Sequence, residues 1–399
     1  MHRELSDGTS ASQLRRRALA ISMKTILVFA GTRPEIIKMA PIVRELRARQ
    51  GSQTNRQNAW HAHFCFTGQH DQLARPFLKY FDIEPDSWLE IMDLGQSLGQ
   101  LASVAIAQID ALIEKHPDSC AALVQGDTTT AFIAALSAFY HKIAVGHVEA
   151  GLRTSKIDEP FPEELNRRLI TRIARWHYAP TEAARTALLR EGVASESIHV
   201  TQNTGIDSFL WTIAQPHKPI SVDLAGLDGK RLVLVTVHRR ENIGAPLDRI
   251  AAALTKLSRE FEDIVFFLPV HRNPEVSETI RTRLGGIRNI RLAEPLVYPD
   301  LVWAMKNAEL ILTDSGGIQE EAPSLNKPVL VLRDETERPE AIDYGTSFVV
   351  GSDTARVVGV AREFLTGKRK LTLRGTSNPY GDGRAARKIV DHLLSRVSL

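Results

Sequence analysis

From Lys24 onward, short apolar runs alternate with longer stretches whose apolar residues recur at helical spacing. That is the pattern of parallel sheets assembled from βαβ units. In the first half the runs predict strands over 25–30, 61–67, 121–125, 143–148, 176–179 and 198–201, and in the second over 232–237, 264–270, 290–293, 310–313, 329–332 and 348–350. Six and six predicts two sheets, with helices filling most of the gaps. Two stretches echo each other: Lys24-Thr-Ile-Leu-Val-Phe-Ala-Gly-Thr-Arg33-Pro-Glu35 and Lys230-Arg-Leu-Val-Leu-Val-Thr-Val-His238-Arg239-Arg-Glu241. Each is a strand running into an Arg-containing loop that ends on Glu before a helix. Between them, 207–229 carries Pro216, Pro219, Gly226 and Gly229, a composition that suits an interdomain connection. Ligands of open α/β sheets bind beyond the carboxyl ends of the strands, so two such sheets facing each other would share one cleft, with function in the post-strand loops.

Composition narrows the class further. At ~150 residues per domain, 399 residues predict two or three domains, and 43% hydrophobic with 24% charged residues excludes disordered, collagen-like and coiled-coil chains. A formal net charge of +3 is too slight for a nucleic-acid footprint. Cys65 and Cys120 form no CxxC, and no Cys/His spacing suits zinc, so neither a disulfide framework nor a structural metal is expected and a reducing, cytoplasmic compartment fits. No apolar run reaches the ~18–20 residues of a membrane span. Arg15 to Arg17 followed by an apolar stretch mimics a signal peptide, but Lys24 splits that stretch, and residues 1–22 read as a disordered extension without a role in fold or catalysis.

The candidate chemistry collects at predicted strand ends: Gly31-Thr-Arg33-Pro-Glu35, Gln125-Gly-Asp127-Thr128, His147-Val-Glu149-Ala-Gly151, His238-Arg239-Arg240-Glu241 and Asp314-Ser315-Gly316-Gly317. The last leaves a strand and opens a helix, so its backbone N–H groups can cradle a pyrophosphate, or Ser315 simply caps the helix over a tight turn. Arg33 and Lys38, near a helix that Pro34 initiates well, and Arg239 with Arg240 are cations for an anionic ligand or ordinary solvated side chains. Asp127 and Glu149 end adjacent predicted strands, and Glu163-Glu164 begin a helix after Pro160-Phe-Pro162; acids so gathered suit proton transfer, although Glu164 also suits a first-turn dipole role. His238 at a strand end beside two arginines suits a phosphate donor or proton shuttle, most other histidines an ordinary surface or packing role. There is no GxxxxGK[ST], and the one GxGxxA match, from Gly381, follows no strand, which excludes a P-loop and a dinucleotide cofactor.

With His147-Val-Glu-Ala-Gly-Leu-Arg-Thr154, Pro162-Glu-Glu-Leu-Asn-Arg167, Thr313-Asp-Ser-Gly-Gly-Ile-Gln-Glu-Glu-Ala-Pro-Ser324 and Thr336-Glu-Arg-Pro-Glu340 added, the chain from about Lys24 to its C-terminus resembles the bacterial non-hydrolysing UDP-N-acetylglucosamine 2-epimerases. The resemblance implies an α/β chain of two Rossmann-like domains facing a central cleft, the glycosyltransferase-B-type fold. The domains would be 23–206 and 207–382, with a last helix at about 383–398 packing back on the first. It implies catalytic roles for Asp127, Glu149, Glu163 and His238, and UDP contacts from Arg33, Lys38, Ser315, Gly316, Gly317, Glu321 and Arg338, with Glu321 on the ribose hydroxyls. Leu296 and Leu301 stand near the uracil site where some relatives carry Gln and Phe, which leaves base contacts to backbone groups. The implied reaction is reversible epimerisation at carbon 2 by elimination and re-addition of UDP, without cofactor or metal, in a cytoplasmic homodimer that supplies cell-surface polysaccharide synthesis. Some relatives bind a second substrate molecule as activator; Gln69, His70, Gln72, Arg239 and His271 are kept from that region, whereas Asp71 and Gly95 replace basic residues. The alternatives are a hydrolysing epimerase, a glycosyltransferase of the same fold, and a UDP-sugar-binding regulator without turnover.

Overall fold

The computed structural model describes residues 23–51, 59–68, 74–92 and 95–397. The expected extension 1–22, together with Gln69, His70, Asp71 and Gln72, lies outside the described residues. Thirteen strands are present among them: β1 (Lys24–Ala30), β2 (Trp60–Phe66), β3 (Ser87–Trp88), β4 (Ser119–Gln125), β5 (Ala144–Val148), β6 (Trp176–Ala179), β7 (Ile198–Val200), β8 (Arg231–Thr236), β9 (Ile264–Pro269), β10 (Ile290–Ala293), β11 (Leu310–Thr313), β12 (Val329–Val331) and β13 (Ser347–Val349). They form a seven-stranded sheet in the order β3-β2-β1-β4-β5-β6-β7 and a six-stranded sheet in the order β10-β9-β8-β11-β12-β13. The first sheet therefore has one strand more than the six expected. β3 is a two-residue, half-buried edge strand, too short to leave an apolar run in the sequence.

The two sheets share one winding, which explains the sequence echo: β1 and β8 are the strands from which each sheet is built outward in both directions. Ile26 on β1 lies between Ala62 and Ala121, and Leu234 on β8 between Phe267 and Ile311, all in parallel register. Strands covered by helices on both faces are apolar throughout, and β1, β4 and β11 are buried almost end to end. Around the first sheet Leu27, Phe29, Val124, Ile133 and Val145 form one core, and around the second Val233, Val235, Leu254, Phe266 and Leu312 form another.

The chain divides into two compact units. The first holds the described residues through Ala179, Ala183–His199 and the chain from Arg387; the second holds Pro180–Glu182 and Val200–Ala386. The Pro- and Gly-bearing stretch 207–229 begins on helix Thr204–Ala214 and lies within the second unit. The last helix, Ala385–Arg396, starts in the second unit, where the buried Asp207 carboxylate accepts the N–H groups of Ala385 (3.1 Å) and Ala386 (2.8 Å). Such a side-chain acceptor satisfies donors that a helix start leaves unpaired. From Arg387 the helix belongs to the first unit. There Asp391 pairs with Arg49 at 2.6 Å, the His392 ring lies 3.6 Å from that of His199, and the Tyr178 hydroxyl is 3.1 Å from His392 Nδ1. No helix among the described residues is long and apolar enough to cross a membrane.

Burial holds His392 down to about 4, helped by His199 and Arg396, and lowers His199 as well. The unfolded chain protonates His392 near the ordinary value of 6.5, the folded chain only near 4, so stability is lost as pH falls through that window. For the half-buried His392 ring the loss should be on the order of 1–2 kcal/mol after solvent screening. Urea unfolding at pH 7.5 and 4.5 should show a fall that His392→Phe reduces; an unchanged pH dependence in the variant would contradict this.

Candidate active site

In a doubly wound sheet, ligands meet the carboxyl ends of the strands where the strand order reverses. That point lies between β1 and β4 in the first unit and between β8 and β11 in the second. The post-strand motifs converge there in each unit.

In the first unit, β1 runs through Gly31 into helix Arg33–Gly51. A Cβ at Gly31 would lie 2.4 Å from Thr67 Oγ1, so only glycine lets this turn pack against the end of β2. Glu35, 3% exposed, folds back so that one carboxylate oxygen accepts the N–H groups of Gly31 (3.1 Å) and Thr32 (2.8 Å), while the other takes the Thr128 hydroxyl (2.9 Å) beyond β4. Thr128 Oγ1 in turn accepts the Ala131 N–H and caps helix Thr129–Tyr140. One buried acid thus ties the two switch-point loops together. Burial pushes its pKa up, against the hydrogen bonds from Thr32, Thr128 and Gly31.

After β5, Glu149 sits in the left-handed region at φ 64°, a conformation that costs a non-glycine residue roughly 1–2 kcal/mol. Its carboxylate is held by Lys38 Nζ, 2.6 Å from both oxygens, and by the Gln125 amide. Asp127 receives Arg167 through Nε (2.8 Å) and Nη2 (2.7 Å). Arg167 also reaches Glu164, which is fully buried and bound to Arg168 and the Thr154 N–H. Glu164 therefore anchors the start of its helix by ion pairs. Glu163, the first residue of helix Glu163–Ile173, is half-buried and makes no side-chain hydrogen bond or ion pair among the described residues. His147, under this loop, donates Nε2–H to the Gly126 carbonyl at 2.8 Å, and burial drives its pKa to about 3, so the ring is neutral. Arg33 is exposed at its helix start.

In the second unit, Asp314 after β11 is completely buried and gathers the His238 N–H (2.9 Å), the Arg239 N–H (2.9 Å) and the Asn242 amide (2.9 Å). It also lies 2.9 Å from His238 Nδ1, which leaves Nε2 of that ring for other partners. Burial would raise the Asp314 pKa, but the His238 side chain and the Arg239 N–H hold it below the ordinary carboxylate value. His271 stacks 5.7 Å from His238, and Arg239 lies 3.5 Å from Glu337. Ser315 makes no side-chain cap for helix Gly316–Glu321, so the capping alternative does not hold; its N–H donates to Thr313 Oγ1 instead. The Arg338 guanidinium lies over Gly316, where a Cβ would come within 3.1 Å of it, and Glu320 (2.9 Å) and Glu337 (2.7 Å) hold it there. Glu321 accepts the Tyr298 hydroxyl at 2.9 Å. Leu296 and Leu301 are half-buried, in the loop after β10 and on helix Tyr298–Asn307.

The first unit thus gathers acids with an amide and a cation at its switch point, and the second orients a histidine by a buried carboxylate and sets glycines under a guanidinium at its own. Residues 52–394 match the model of the UDP-N-acetylglucosamine 2-epimerase family. The chain belongs to this family. A UDP-N-acetylglucosamine 2-epimerase of Yersinia pestis is 44% identical over 380 residues, covering 93% of this chain and 98% of its own. That of Bacillus subtilis is also 44% identical, over 374 residues, covering 93% and 95%. The solved UDP-GlcNAc 2-epimerase of Neisseria meningitidis bound to UDP-GlcNAc is 39% identical, with a TM-score of 0.81 over 94% of this chain and 100% of that one.

Within this UDP-N-acetylglucosamine 2-epimerase family member, the first unit groups Lys38, Asp127 and Glu149 with residues that the motifs contain but to which no role was assigned: Gln125, Arg167 and Glu35. In the second unit Asp314 and Glu320 lie inside quoted motifs without an assigned role, and Tyr298 was not quoted. Arg167 and Glu320 were reachable from sequence only as neighbours inside matched motifs. Gln69 and Gln72 lie outside the described residues. Because burial favours the neutral form of Glu35, Glu35→Gln should cost less than ~1 kcal/mol, whereas Glu35→Ala, which strands two N–H groups, should cost about 2–3 kcal/mol. Denaturant midpoints of the two variants check this.

Proposed function

We propose that the chain interconverts UDP-N-acetylglucosamine and UDP-N-acetylmannosamine by elimination and re-addition of UDP. A base removes the proton on carbon 2 as the carbon 1–oxygen bond breaks and UDP leaves with the electron pair, giving a glycal. UDP then re-adds at carbon 1 while a proton arrives on the opposite face of carbon 2. Family membership carries this reading, and the acids and cations support it. Glu163, unpaired among the described residues, suits proton exchange, whereas Asp127 and Glu149 are ion-paired by Arg167 and Lys38. We assign the leaving pyrophosphate to Ser315, Gly316, Gly317, Arg338 and His238, with Arg33 and Lys38, and the ribose to Glu321. The working unit is a cytoplasmic homodimer serving polysaccharide synthesis, tested by sedimentation of the pure chain.

In deuterium oxide, product and recovered substrate should gain deuterium at carbon 2; epimerised product that keeps its original hydrogen there would exclude elimination. Stoichiometric free sugar with UDP would favour a hydrolysing enzyme, and dependence on an acceptor a glycosyltransferase. Glu163→Gln and Asp127→Asn should lower kcat by about 10²–10⁴ with little change in UDP affinity, while Arg338→Ala should chiefly weaken UDP binding, by about tenfold or more. Turnover assays and UDP calorimetry on the three variants separate these effects.

A further inference from the structure

A second group of chemistry-bearing side chains sits in the first unit, on the amino-terminal half of β2. His61 and His63 are two residues apart on a strand and so share one face of the sheet. Asp86, just before β3, is brought alongside by its N–H, which donates to the Phe64 carbonyl at 2.8 Å, and by its Oδ2, which accepts the Phe64 N–H at 2.8 Å. One ligand atom from each of His61, His63 and Asp86 lies within 4.8 Å of the others. The His116 ring is 4.2 Å from that of His63. The Cys/His spacings weighed above pass over this group, because Asp86 and His116 join the local His61-x-His63 pair only through the fold.

We infer that His61, His63 and Asp86, with His116 turning in as fourth ligand, bind a divalent transition metal of the zinc class. Imidazole nitrogens with one carboxylate oxygen are a donor set for that class. Among the described residues each keeps a ligand atom free of hydrogen bonds: His61 Nε2, His63 Nδ1 and Asp86 Oδ1. Ser87 Oγ, 2.9 Å from His63 Nε2, supplies the outer partner that fixes a ligating ring. Arg47 stays on Asp86 Oδ2, at 2.9 Å. Ligands of a tetrahedral centre with bonds of ~2.1 Å are about 3.4 Å apart, so the trio closes by up to about 1.4 Å on loading. Gln50 Oε1 accepts the Ala62 N–H and its amide group faces His61 Nδ1 at 3.1 Å, so His61 must change tautomer and give up that bond. The bound ion would clip the edge strand β3 to β2, independently of the epimerase reading.

The test is titration of the full chain, without a histidine tag, with Co(II) and Zn(II) at pH 7.5, followed by calorimetry, Co(II) absorption and melting temperature. The expected result is one ion per chain and a raised melting temperature. Affinity should fall at least ~100-fold in His61→Gln and His63→Gln and about tenfold in Ser87→Ala, with no change in His141→Gln, whose ring faces Asp110 elsewhere. Since His63 is buried and its variant can fail to fold, His61→Gln and Ser87→Ala carry the test alone if it does. No bound equivalent in the wild type, or wild-type affinity in both His61→Gln and Ser87→Ala, overturns the assignment.

Discussion

A parallel strand that ends at a switch point leaves backbone N–H groups that no neighbouring strand can pair, and in both units a buried carboxylate takes them. In the first it is Glu35, which accepts Gly31 and Thr32 and reaches across to Thr128. In the second it is Asp314, which accepts His238 and Arg239 and adds Asn242. The acid comes from the β1 side in one unit and from the β11 side in the other, yet each joins the loops after the two strands that flank the reversal. A buried acid without such donors would be expensive, and loops without such an acid would have to keep their N–H groups wet. The arrangement fixes loop geometry where a ligand must be met, and the functional side chains project from loops so fixed.

The charged groups above these loops are held in the same way. Lys38 chelates Glu149, Arg167 clasps Asp127, and Arg338 is pinned by Glu320 and Glu337. Long side chains that find fixed partners before a ligand arrives lose less freedom when it binds. Burial would raise the Glu337 pKa, but Arg338 and Arg333 hold it below the ordinary carboxylate value, a coupling that a partly desolvated setting makes stronger than it would be in water. Glu163 stands apart as the acid without such a clasp among the described residues. For chemistry that takes a proton in one direction and returns one in the other, a group that can change charge without breaking an ion pair has the smaller reorganisation to make.

Histidine serves three different ends in this chain. His147 and His392 are driven neutral by burial and pack against backbone and aromatic neighbours. His238 is aimed by a buried carboxylate, so one nitrogen is committed and the other is presented. His61 and His63 share a strand face with an acid at the sheet edge. The residue type is the same in each case, and the difference lies in what burial and strand register put beside the ring.

The sequence by itself determined the α/β class, twelve of the thirteen described strands to within a residue or two, and the post-strand loops that carry the chemistry. It could do so because central parallel strands are buried on both faces and must be apolar without interruption, while their exits need glycine and polar groups; both are local requirements written in consecutive residues. Tertiary structure alone decided the rest. β3 exists only because β2 offers it an edge, and its two residues carry no pattern of their own. Lys38 and Glu149 are 111 residues apart, and Glu320 meets Asn203 from 117 away, so no window of sequence contains either pair. Asp314 reads as part of a glycine-rich turn until β8 is laid beside β11, when it becomes the acceptor for the loop after His238. Partners of this kind are chosen by strand order and register, which emerge only when the whole sheet is assembled.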